Sequence, residues 1–146
     1  ETSSGIEFNW GSLSPNRYNN GNYNLGSSGN RFNMVYLKAQ PNVSSDARLK
    51  ENIQEIPNDL IDLFMELEPK MYTQNGQVHF GYIAQDVEAM LNKWKKLNPS
   101  MADSDFALLD NEGEFLALIY GELAVLKNKQ LTKRMEQLEN EAKSKH

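Results

Sequence analysis

The chain contains no cysteine, which removes disulfides and thiol catalysis and fits synthesis in a reducing cytoplasm. Without a covalent staple, its stability has to come from packing or oligomerisation. Histidine is also scarce, at two residues. His79 has neither a second histidine nor a cysteine beside it, so it reads as a packing or surface residue and not as a metal ligand. No metal and no cofactor are expected. Long apolar runs are missing as well: none approaches the ~20 residues that span a bilayer, and no signal-peptide pattern is present. The chain therefore reads as soluble, with no membrane partner. Positive charge is in deficit, with 15 Lys and Arg against 20 Asp and Glu for a net charge of -5. An acidic balance without a basic stripe argues against nucleic acid as a partner.

The 146 residues leave room for one ordinary domain, or for a small domain with an appendage. The first residue is Glu1, not methionine, which reads as a piece of a longer protein. Charge is unevenly placed. Residues 1–44 hold Glu1 and Glu7 against Arg17, Arg31 and Lys38, a balance of +1, whereas the remainder carries 18 acids against 12 bases, a balance of -6. The composition changes at Ser44-Ser45-Asp46-Ala47-Arg48-Leu49-Lys50-Glu51-Asn52-Ile53. This junction holds a serine with a lysine five positions on, which is a nucleophile and a base within one short peptide. A polar linker of the same composition would look alike.

Residues 1 to 30 mix Phe8, Trp10, Tyr18 and Tyr23 with Asn, Ser and Gly, a blend shared by turn-rich β structure and tails. Arg31 to Ala39 is rich in aromatic and β-branched residues between Gly29-Asn30 and Pro41, and predicts a strand. Both of its faces are apolar near Met34 to Leu37, so other chains would have to cover one of them. Beyond the junction, Leu60, Ile61, Leu63, Phe64 and Leu67 predict a helix that starts near Pro57-Asn58 and is ended by Pro69. Lys70 to Thr73 and Gln77 to Ile83, around Asn75-Gly76, predict a hairpin. Val87, Met90, Leu91 and Trp94 predict a helix over Gln85 to Leu97. Its carboxylates Asp86 and Glu88 are two positions apart and so do not face each other, which argues against a glycosidase pair. Phe106–Leu109 and Glu114–Ala117 predict a second hairpin around Asn111-Glu112-Gly113.

The last element runs from about Leu118 to Lys143. Leu116, Ile119, Leu123 and Leu126 are spaced 3-4-3, and Leu131, Met135, Leu138 and Ala142 are spaced 4-3-4, with one five-residue step between the sets. So long a helix needs a partner for its stripe, and self-association is the economical one.

Three blocks carry a resemblance: Ser45-Asp46-x-Arg48-x-Lys50-x-Asn52-Ile53, then Phe80-Gly81-Tyr82-Ile83-Ala84-Gln85-Asp86-Val87, then Tyr120-x-x-Leu123 at the head of the closing helix. In this order they resemble the self-cleaving intramolecular chaperone domain at the C-terminus of bacteriophage tail spikes and fibres, endosialidases among them. A related domain occurs in the myelin regulatory factors, whose DNA-binding part the acidic charge does not match. The resemblance implies an α+β fold, in which a short N-terminal β stalk segment precedes a mixed domain of two β-hairpins, short helices and a long C-terminal helix forming a trimeric bundle. It implies residues 1–44 as the end of an intertwined fibre stalk and residues 45–146 as the chaperone, with a trimerising helix at about 118–143. Its partners would be two further copies and the upstream stalk of its own chain. It places the chaperone in the host bacterial cytoplasm during assembly and the stalk in the virion.

The same resemblance implies a single-turnover serine endopeptidase that cuts the Ser44–Ser45 bond with Ser45 as nucleophile and Lys50 as general base. Asp46, Arg48 and Asn52 would be orienting or oxyanion-supporting residues. An ordinary lysine has a pKa of about 10.4, so reaching its neutral form at pH 7 costs about 4 to 5 kcal/mol. Burial or a neighbouring cation lowers that cost. Two rival readings stand beside this one. One is a non-enzymatic trimeric fibre tip or coiled-coil adhesin in which Ser45 and Lys50 only line a loop. The other is a polysaccharide hydrolase whose active site lies upstream of Glu1.

Overall fold

The computed structural model describes residues 6–9, 12–15 and 23–146. The chain divides into two units, Glu1–Pro41 and Asn42–His146. In the first, β1 (Ile6–Asn9) pairs antiparallel with β2 (Ser12–Pro15). The predictions made for Trp10 and Tyr18 lie outside the described residues.

The strand predicted over Arg31–Ala39 does not form. Residues 31–40 lie outside any strand or helix, and Phe32, Met34, Val35, Tyr36 and Leu37 are all exposed. Strand propensity reports how well a side chain fits a pleated, half-buried surface, and among the described residues no strand pairs with this segment. The local order is instead a turn in which Ser27 and Asn30 exchange backbone hydrogen bonds of 3.0 and 3.1 Å.

The second unit is built on three helices. In α1 (Asn58–Phe64), Leu60, Ile61, Leu63 and Phe64 are buried. In α2 (Ala84–Leu97), Val87, Met90, Leu91 and Trp94 are buried, an i, i+3, i+4, i+7 stripe that lays one face on α1. The closing helix α3 (Tyr120–Ser144) adds Leu123 and Leu126 to the same core. Helix α1 is shorter than its apolar spacing predicts. It is drawn out by a final turn at Met65 and Glu66, and Leu67 packs on the core from outside the helix. Asn98, at the end of α2, donates its side-chain amide to Asp59 of α1 at 3.0 Å. That donation, and then the Trp94 indole beside it, hold the Asp59 carboxyl below its ordinary value. The indole nitrogen itself is buried without a hydrogen bond of good geometry.

Between α1 and α2 lies the hairpin of β3 (Lys70–Gln74) and β4 (Gln77–Gly81), in the register Met71 to Phe80, Tyr72 to His79 and Thr73 to Val78. Asn75 (φ 51°) and Gly76 (φ 76°) supply the two positive φ angles of a type I′ turn. His79 stacks on Tyr72 with ring centroids 5.6 Å apart. The second hairpin is shorter than expected, each strand starting three residues later and ending one residue later. Its strands are only β5 (Leu109–Asp110) and β6 (Ala117–Leu118). Phe106 and Leu108, predicted to lie in the strand, turn into the core instead: Leu108 is buried and Phe106 meets Trp94 edge-on at 5.8 Å. The fold is α+β, with two hairpins in this unit, short helices and a long closing helix.

The slipped seam of α3 has a geometric origin. At 100° per residue, a step of five turns the stripe by roughly 140° around the helix. Leu123 and Leu126 of the first set therefore enter the core against α1, at 2% and 7% exposed, while Ile119 before them is 49% exposed and Leu131, Met135 and Leu138 after them remain 49%, 61% and 48% exposed. Lys133 bonds Asp62 and lies 3.4 Å from the Asn58 carbonyl oxygen, and Lys129 lies 3.7 Å from Glu55, so polar contacts continue the α1 face where apolar ones stop.

Candidate functional site

The junction segment belongs wholly to the second unit. Its local order starts at Asp46, whose backbone is extended (φ -63°, ψ 133°) and whose carboxylate accepts the Arg48 backbone N–H at 2.9 Å. This is the use of an acid as an N-cap. It opens one turn of 3-10 helix at Ala47–Leu49, closed by Leu49 N–H to the Asp46 carbonyl (3.0 Å) and Lys50 N–H to the Ala47 carbonyl (3.1 Å). The Arg48 guanidinium folds back on the same carboxylate, donating through Nε at 3.0 Å and through a terminal nitrogen at 2.6 Å. That two-pronged pair holds the Asp46 carboxyl below its ordinary range, with the Arg48 backbone N–H as the second cause, and raises Arg48 further.

The turn reverses the chain, so Lys50 leaves it in extended conformation (φ -118°, ψ 137°) on the side from which the chain entered. Its Nζ lies 2.8 Å from the Ser45 Oγ and donates a hydrogen bond to it. With the amine neutral, the same distance suits the reverse donation, from hydroxyl to nitrogen, which is the geometry a general base needs. Asn52 follows at φ 50°, in the left-handed region that asparagine tolerates better than most residues. Residues 44–52 are all exposed, and Leu49 and Ile53 add apolar side chains 70% and 71% exposed. Among the described residues, one copy of the chain thus leaves the whole segment open to solvent.

Of the residues predicted from sequence, Ser45 and Lys50 come together, and Asp46 and Arg48 pair with each other. Asn52 makes a bend and, among the described residues, no side-chain hydrogen bond. Two clefts of about 560 and 530 Å³ open on the helical unit, and neither is lined by any residue from 44 to 52. A hydroxyl that attacks the peptide bond beside it needs no substrate cleft. Among the described residues no group of three or more His, Asp or Glu is placed to hold a metal ion, and no helix is long and apolar enough to cross a membrane.

The other two sequence blocks meet each other. The Tyr120 hydroxyl, at the head of α3, accepts the Tyr82 backbone N–H at 3.1 Å, just after β4 ends. Gly81 leaves the room for it, because a Cβ there would stand 2.2 Å from that oxygen. Tyr82 packs on Phe64 at 5.9 Å. The Phe-Gly-Tyr and Tyr-x-x-Leu blocks are two sides of one joint between hairpin and helix. Each is unremarkable in sequence, so the contact was not legible there.

The model of the peptidase family described as chaperone of endosialidase matches residues 45–96, beginning at the candidate nucleophile. Over this stretch the chain is similar to the chaperone-of-endosialidase family. The stretch runs from Ser45 through α1 and β3–β4 to Lys96 near the end of α2. The chain is also similar to a capsule K3-specific depolymerase of Klebsiella phage KP32, with 36% identity over 76 residues, covering 46% of this chain and 9% of that protein. In fold it is similar to the carboxy-terminal domain of the bacteriophage T5 L-shaped tail fibre with its intramolecular chaperone domain. That match has a TM-score of 0.68 and 19% identity, and covers 90% of this chain and 39% of the other. The chain thus spans less than half the length of either relative. The matched stretch contains Ser45, Asp46, Arg48, Lys50, Asn52 and the whole Phe80–Val87 block, while α3 lies beyond it.

Proposed function

We propose that this chain is the intramolecular chaperone end of a phage tail fibre or spike. It assembles as a trimer, directs folding of the stalk that precedes it, and releases itself by cutting the Ser44–Ser45 bond. The observation that carries the reading is the 2.8 Å approach of Lys50 Nζ to Ser45 Oγ at the first residue of the matched stretch. In the reaction, neutral Lys50 takes the Ser45 hydroxyl proton while Oγ attacks the Ser44 carbonyl carbon. The C–N bond breaks as the proton passes to the leaving nitrogen, and an ester then joins Ser44 to the Ser45 oxygen. Water hydrolyses that ester, leaving a carboxylate on Ser44 and restoring the Ser45 hydroxyl on a new amino terminus. Residues 1–44 stay with the fibre, and residues 45–146 depart.

Trimerisation supplies what one copy lacks. The exposed stripe of Leu131, Met135 and Leu138 gives three helices a common seam. Close approach of copies would also cover Leu49 and Ile53 beside the dyad, withdrawing water from Lys50 and favouring its neutral form. There is a folding reason for such a device. Intertwined β stalks make contacts between distant residues and separate chains, so they nucleate slowly and leave strand edges open in the meantime. A helical trimer forms sooner and sets the three chains in register. Once the chaperone has left, the stalk cannot unfold by the route it took, and its durability is kinetic. Assembly takes place in the host cytoplasm, and the stalk goes into the virion.

The exposure of residues 44–52 would equally suit a non-enzymatic fibre tip. Mass spectrometry of the expressed chain separates the two: fragments that break before Ser45, absent from Ser45→Ala and Lys50→Arg, support self-cleavage. An intact chain after prolonged incubation supports the tip. Arginine keeps the charge but cannot act as a base.

A further inference from the structure

We infer that Asp46 is the positioning residue of the dyad: its carboxylate caps the 3-10 turn that brings Lys50 back to Ser45, and Arg48 acts as the latch on that cap. This rests on the dyad reading above and assigns roles that the spacing of the residues left open.

Ser45 and Lys50 are separated by four residues. In an extended chain, residues five apart have their Cα atoms roughly 17 Å from one another, beyond the reach of a lysine to a serine hydroxyl. The approach at 2.8 Å therefore exists because the chain reverses between them. The reversal is held by three bonds that all involve Asp46 or the turn it opens: Arg48 N–H to the carboxylate, Leu49 N–H to the Asp46 carbonyl, and Lys50 N–H to the Ala47 carbonyl. One hydrogen-bonded turn is a poor nucleus by itself, since several dihedral angles are fixed for one or two bonds. No residue of the turn is buried, so core packing does not supply the missing stability. The cap and its arginine latch remain.

The Arg48 guanidinium is committed to Asp46. Its Nε and a terminal nitrogen are both engaged by Asp46, at 3.0 and 2.6 Å. Its first effect on the site is to fix the Asp46 carboxylate in the orientation that accepts its own backbone N–H. Bidentate pairing of this kind carries geometric specificity beyond its charge. Asn52, at φ 50°, then turns the chain away once the lysine is placed.

The test follows the rate of cutting in the full chain by mass spectrometry across pH, together with amide hydrogen exchange at Arg48, Leu49 and Lys50 in a Ser45→Ala background. Asp46→Ala removes cap and latch and slows cutting by about twofold to thirtyfold, the span of an N-cap deletion. The pH at which the rate is half-maximal stays where the lysine sets it. Asp46→Asn caps without charge and recovers most of the rate, and Arg48→Ala slows cutting less than Asp46→Ala. Arg48 amide protection falls in Asp46→Ala and is kept in Asp46→Asn. Equal slowing by alanine and asparagine, or unchanged Arg48 protection in Asp46→Ala, overturns the capping role. So does loss of all cutting in Arg48→Ala alone, which would put the guanidinium on the reacting atoms. A wild-type chain that never cuts overturns the dyad reading itself and this inference with it, whatever the exchange data show.

Discussion

The joint between Gly81 and Tyr120 makes a prediction whose size comes from the structure. In Gly81→Ala the new Cβ would lie 2.2 Å from the Tyr120 hydroxyl and 3.1 Å from its ring carbon Cζ. Tyr120 is 48% exposed, so its stiff ring can swing outward, but doing so gives up the hydrogen bond from Tyr82 N–H and the packing on β4. The lost bond costs about 0.5 to 1.5 kcal/mol and overpacking typically 1 to 3 kcal/mol. Because the relaxation trades one against the other, the expected loss is about 1 to 3 kcal/mol. For a unit of this size that lowers the melting midpoint by roughly 5 to 20 °C. The informative assay is a double-mutant cycle read by thermal or urea unfolding. Tyr120→Phe alone costs about 1 kcal/mol through its hydrogen bond. On that background Gly81→Ala costs less than half of what it costs in the wild type, since the oxygen it would strike is gone. Strict additivity of the two substitutions would refute the argument that Gly81 is present to admit the Tyr120 hydroxyl.

Three further predictions concern separate parts of the molecule. Leu123→Ala, at a core position 2% exposed, lowers stability by about 2 to 5 kcal/mol in urea unfolding, whereas Leu131→Ala, at 49% exposed, changes the unfolding of a dilute, unassembled chain by less than about 1 kcal/mol. Leu131→Asp with Met135→Asp leaves the helical circular dichroism in place but reduces the proposed trimer to monomer in sedimentation; a trimer that persists would remove those residues from the seam. The Asp46 carboxyl is held below its ordinary value of 3.8 by Arg48, so its contribution to the turn is complete above that value and is lost as pH falls through the lower folded value. Titrating the Arg48 amide by NMR in Ser45→Ala checks this, and a turn that melts above about pH 5 contradicts it.

Legibility from sequence followed the range of the interactions involved. Helix α2 was readable because Val87, Met90, Leu91 and Trp94 repeat on one face, and the β3–β4 turn was readable because Asn75-Gly76 tolerates two positive φ angles. These are local signals. The strand predicted at residues 31–39 did not form, because strand propensity alone, without a paired and half-buried surface, does not fix a strand. Phe106 was read as a strand residue because it is aromatic, yet Trp94 offered it an edge-on contact in the core. In the site, spacing and resemblance pointed to Ser45 and Lys50, which the structure places 2.8 Å apart. The Asp46–Arg48 latch was not foreseen, although an acid two positions before the N–H it caps is a sequence signal for a turn. The Tyr82–Tyr120 bond spans 38 residues, and no periodicity reports a contact of that range.

The account stands most directly on the time course of the intact mass of the freshly purified full chain at several dilutions. It predicts two fragments that separate before Ser45, formed more slowly as dilution takes the trimer apart, and neither fragment from Lys50→Arg. A wild-type chain that keeps its full mass, or a Lys50→Arg chain that still breaks at the same bond, would contradict it.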